Sequence, residues 1–60
     1  MIFITFTNGQ YQISVNPSKV LFVTKVSDLR SEIVFGPQHF IQVDGSVQEV
    51  TRKLECALGA

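Results

Sequence analysis

The feature that most constrains this chain is the segment IFITFTNGQYQISV, residues 2–15. Ile2, Ile4 and Phe6 alternate with Phe3, Thr5 and Thr7, and Tyr11, Ile13 and Val15 alternate with Gln10, Gln12 and Ser14. A period of two is the mark of a half-buried strand. Between the two runs lies Asn8-Gly9, the pair favoured where both central residues of a type I′ turn need positive φ. The segment therefore reads as a β-hairpin with Asn8-Gly9 as its two-residue loop. That loop sets Phe6 opposite Tyr11, Ile4 opposite Ile13 and Ile2 opposite Val15. All six apolar side chains then share one face, and a one-residue slip would scatter them.

The other face of this hairpin carries Phe3, Thr5, Thr7, Gln10, Gln12 and Ser14. No charged side chain occurs before Lys19. An exposed strand usually defends itself with Lys, Pro or an inward charge, because its free backbone groups are a template for another strand. This one has none, so the six residues form the candidate interface, with a second copy of the chain as the simplest cover. The competing reading is a solvated Thr/Gln face chosen for β propensity.

Further along, Asn16-Pro17-Ser18 reads as a loop, since proline lacks an N–H and disfavours helix before it. In KVLFVTKV, residues 19–26, Val20 and Phe22 alternate with Leu21 and Val23. Two apolar faces indicate a central strand, or one covered on each side. Ser27-Asp28-Leu29-Arg30 is a turn, 32–35 a short strand, Gly36-Pro37 a break and 39–43 the last strand. With Pro37-Gln38 as the central pair of this second hairpin, Phe35 stands opposite Phe40. The period then changes. Ser46-Val47-Gln48-Glu49 is a capping box. Val47, Val50, Leu54 and Leu58, with Ala57, recur at helical spacing, and Gly59 supplies a stop.

The fold class is α+β: an antiparallel meander of about five strands (β-β-β-β-β-α) with one C-terminal helix packed on the sheet. Residues 1–60 make one domain. At this length only about 60% of the unfolded surface is buried, so stability is marginal. A single cysteine rules out an internal disulfide, which leaves self-association among the usual supports.

Composition narrows the chemistry. Five basic residues balance five acidic ones, so nothing draws the chain to nucleic acid or anionic lipid. The longest apolar runs fall far short of the ~20 residues of a membrane span. The first residues lack the basic flank expected of a signal peptide, and the expected setting is reduced and cytoplasmic, which the lone Cys56 fits. His39 as a general base would need an orienting carboxylate, with Asp28, Glu32 and Asp44 the possible neighbours, but no motif fixes them. Cys56 lies near a helix C-terminus, where the dipole disfavours thiolate. Phosphate-loop and dinucleotide patterns are absent. The expectation is a non-enzyme with no cofactor and no metal site. It would act on itself and on an unidentified protein partner.

Met1, Ile2, Asn8, Gly9, Val15, Asn16, Pro17, Val20, Ser46, Val47, Glu49 and Val50 form a set spread over nearly the whole chain. In this order the chain resembles the FlbD-like flagellar accessory proteins, also called swarming motility proteins. The resemblance implies an accessory or regulatory protein, and it carries no catalytic residues. A different reading is a small phage or mobile-element protein that blocks a host enzyme or sequesters a ligand. A nucleic-acid binder ranks below both.

Overall fold

The computed structural model describes residues 3–59. The expected pairing of Ile2 with Val15, and Met1 and Ile2 of the family resemblance, lie outside the described residues. Five strands and one helix follow in chain order: β1 (Ile4–Asn8), β2 (Tyr11–Val15), β3 (Phe22–Ser27), β4 (Arg30–Gly36), β5 (His39–Asp44) and α1 (Val47–Ala57). Every strand pairing is antiparallel. The architecture is the expected α+β meander ending in a helix, with the strands divided into β1-β2 and β3-β4-β5.

The division falls at Pro17. Asn16 accepts a hydrogen bond from the Ser18 N–H at 3.1 Å. Pro17–Lys19 then winds into one turn of 3-10 helix. A proline with no N–H at the start of that turn cannot continue a ladder. Strand β3 begins only at Phe22 and lies at the edge of its sheet. The expectation of a central strand from residue 19 is thus corrected.

The first hairpin forms in a shifted register. Asn8 pairs with Tyr11, Phe6 with Ile13 and Ile4 with Val15. The two-residue loop is therefore Gly9-Gln10, not Asn8-Gly9. Gly9 has φ +60°, and no described non-glycine residue has positive φ. This is the pattern of a II′ turn, which needs the left-handed region at one position instead of two. Asn8 stays in the strand and sends its side-chain amide to the Gln42 carbonyl at 2.9 Å. Moving the loop by one residue changes each partner by two, so the faces keep their parity. Phe6 and Val15 are buried, and Ile4 and Ile13 pack against them. Tyr11, now beside the turn, is 76% exposed.

The second hairpin turns at Pro37-Gln38, as expected, with Gly36 opposite His39. The Phe35–Phe40 pair does not form. A bulge between Val34 and Gly36 leaves Phe35 outside the ladder, and Phe40 pairs with Val34. A second bulge lies between Lys25 and Ser27, before the Asp28-Leu29 turn.

The core joins both sheets to the helix: Phe6, Val15, Ile33, Val43, Val50 and Leu54. The capping box is complete, with Ser46 accepting from the Glu49 N–H and Glu49 reaching back to the Ser46 N–H. Gly59, at φ +77°, follows the helix as its stop. Leu58 does not belong to the buried stripe. It lies beyond the last helical residue and is exposed.

Candidate interaction surface

Strand alternation makes the outer faces of the two sheets the exposed side. On the hairpin, Thr5 stands opposite Ser14 and Thr7 opposite Gln12. These four, with Gln10 in the turn and Phe3 before β1, are all exposed. Phe3 keeps 54% of its surface in contact with solvent. The structure thus brings the six candidate residues together, apolar only at Phe3 and charged nowhere. Strand β2 pairs with β1 alone, so its other edge has no ladder partner among the described residues. Its sequence, YQISV, contains no Lys and no Pro, which leaves that edge without the usual blocks to strand addition.

Two of the six have structural ties as well. The Thr5 carbonyl accepts a hydrogen bond from Lys53 Nζ at 2.9 Å. That ammonium lies 4.6 Å from the centre of the Phe6 ring, within cation–π range. Thr7 Oγ1 donates to Asp44 Oδ2 at 3.3 Å. The same carboxylate accepts from the Gly9 N–H at 2.9 Å and from Arg30 at 3.1 Å. Asp44 therefore clasps the hairpin turn to β5 and β4. The Gly9 N–H is the main influence holding its carboxyl below the usual value of 3.8, and the Arg30 guanidinium adds to it against a partial loss of hydration. Hydrogen bonds to the charged form account for that direction.

A second exposed group was missed from sequence. Phe22 pairs with Val34, and Val34 with Phe40. Directly opposed residues share a face, so the three form one row across β3, β4 and β5. Ile33, beside Val34 in β4, is fully buried on the other face. The row therefore points outward, with Phe22 56% and Phe40 58% exposed. The Phe22 half was legible in the two apolar faces of residues 20–23. The Phe40 half depends on the bulge at Phe35, which alternation alone does not announce. Val34 stands between the two aromatic rings, so the row is an exposed apolar strip across the sheet.

The candidates for chemistry stand apart. His39 is exposed at the second turn. Asp44 is engaged by Gly9, Thr7 and Arg30, and Asp28 pairs with Lys25 at 3.0 Å. Alternation puts Glu32 on the outer face, away from His39. Cys56 is exposed near the helix end. Among the described residues, no group of three His, Cys, Asp or Glu side chains is placed to hold a metal ion, and no helix is long and apolar enough to cross a membrane. Compared with protein-family models, with curated proteins and with solved structures, the chain matches none.

Proposed function

We propose that this protein is a non-enzymatic accessory or regulatory module that works by protein contact, as a homo-oligomer, through the outer face of its strands. One observation carries the reading: Phe3, Thr5, Thr7, Gln10, Gln12 and Ser14 lie together, exposed and uncharged, beside the unblocked edge of β2. A neutral face can meet its own copy across a two-fold axis without opposing like charges. Thr and Gln side chains retain hydrogen bonds to water when free and can exchange them for a partner's when covered. The resemblance to FlbD-like flagellar accessory proteins agrees with a role of this kind.

Sedimentation velocity over a wide concentration range tests the proposal. The expected result is a monomer–dimer equilibrium. Thr5→Lys with Gln12→Lys, which sets like charges across the face, should weaken it about tenfold or more while circular dichroism stays unchanged. A species that remains monomeric at the highest concentration and recovers no protein partner from cells would overturn the proposal.

A further inference from the structure

The inner faces of the sheets are not covered from end to end. Helix α1 closes one part over Phe6, Ile33 and Val43 with Val50 and Leu54. At the other end, Ile13, Phe35 and Ile41 pack against the core yet remain half-buried. They line a groove of about 360 Å³ with Ser14, Val15 and Asn16, and its rim holds Lys19 and His39. The bulge next to Gly36 frees Phe35 from the β4–β5 ladder. Bulges often re-aim a side chain beside a binding site.

Charge selects the occupant. The groove is walled mainly by aliphatic and aromatic carbon, with neutral polar groups from Ser14 and Asn16, while its rim carries one ammonium, one imidazole and no carboxylate. Lys19 has no acidic partner among the described residues. We infer that this groove binds a small amphipathic carboxylate of the medium-chain fatty-acid class. Its hydrocarbon lies against Ile13, Phe35 and Ile41, and its carboxylate accepts hydrogen bonds from Lys19 Nζ and the His39 ring. The volume is at the small end of ligand pockets, roughly 300–1,000 Å³, which favours one short chain over a bulky lipid. This inference concerns the inner faces, and Ser14 is the one residue the groove shares with the six candidates of the outer face.

The test is an NMR titration of the full chain with octanoate below its micelle-forming concentration, with octanol and octyltrimethylammonium as uncharged and cationic counterparts. Saturable shifts at Ile13, Phe35, Ile41 and Lys19 are expected with octanoate. Lys19→Glu, an exposed change compatible with the fold, should weaken octanoate about tenfold and leave octanol unaffected. Three results would each overturn the inference: octyltrimethylammonium binding as tightly as octanoate, shifts centred on Phe22 and Phe40, or no saturable shift. Groove resonances that move with protein concentration alone would assign the site to a second copy and overturn it too.

Discussion

Among the described residues, no other side chain makes as many hydrogen bonds between elements as Asp44. Its carboxylate receives the Gly9 N–H, the Thr7 hydroxyl and the Arg30 guanidinium, joining two sheets that share no backbone ladder. Its folded-state pKa is depressed, so it stabilises the fold above the unfolded value. That contribution is lost as pH falls from about 3.8 through the lower folded value. Asp44→Asn should therefore lower the melting temperature at neutral pH and flatten its fall below pH 4, as thermal unfolding across a pH series would show. An equally steep acid limb in the variant would assign the acid sensitivity to other carboxylates. In the sequence Asp44 was legible only as a possible neighbour of His39. Its real partners are 14 to 37 residues away in the chain, and no local pattern brings such groups together.

Elements were legible in proportion to how local their causes are. The capping box needs only Ser46 and Glu49, three positions apart, and it forms as read. Ser46→Ala removes the acceptor for the Glu49 N–H and should cost about 0.5–2 kcal/mol in denaturant unfolding. The inward set Ile4, Phe6, Ile13 and Val15 was likewise fixed by alternation. The turn was not, because Asn-Gly satisfies two loop geometries and the choice depends on Gln42 and Asp44, far along the chain. The two geometries separate by mutation. In the observed loop only Gly9 holds positive φ, so Gly9→Ala should destabilise by about 1–2 kcal/mol. Gln10→Gly should be nearly neutral, since Gln10 already takes negative φ and keeps its side chain in solvent. A large gain from Gln10→Gly would point instead to strain at that position. Phe35 carries the same lesson: it packs against the core from a bulge outside the ladder, and turn position with alternation alone paired it wrongly with Phe40.

At the scale of the whole molecule, the core of Phe6, Val15, Ile33, Val43, Val50 and Leu54 supports a chain of 60 residues. Folded domains have net stabilities of about 5–15 kcal/mol, and the smallest sit at the low end. Anything that binds only the folded form then shifts its melting visibly. If two copies associate, the melting temperature must rise with protein concentration, because unfolding then releases two chains. Which outer surface they use follows from where that dependence is abolished. Thr5→Lys with Gln12→Lys opposes charges across the hairpin face, whereas Phe22→Ser with Phe40→Ser removes the aromatic row from the three-stranded sheet. Association through the hairpin predicts that the rise in melting temperature is lost, or displaced to at least about tenfold higher concentration, in the first variant, with unchanged concentration dependence in the second. The reverse outcome would move the contact to the Phe22–Val34–Phe40 row. A wild-type melting temperature that is flat over a hundredfold range of concentration would remove self-association from either face and leave protein contact to a different partner.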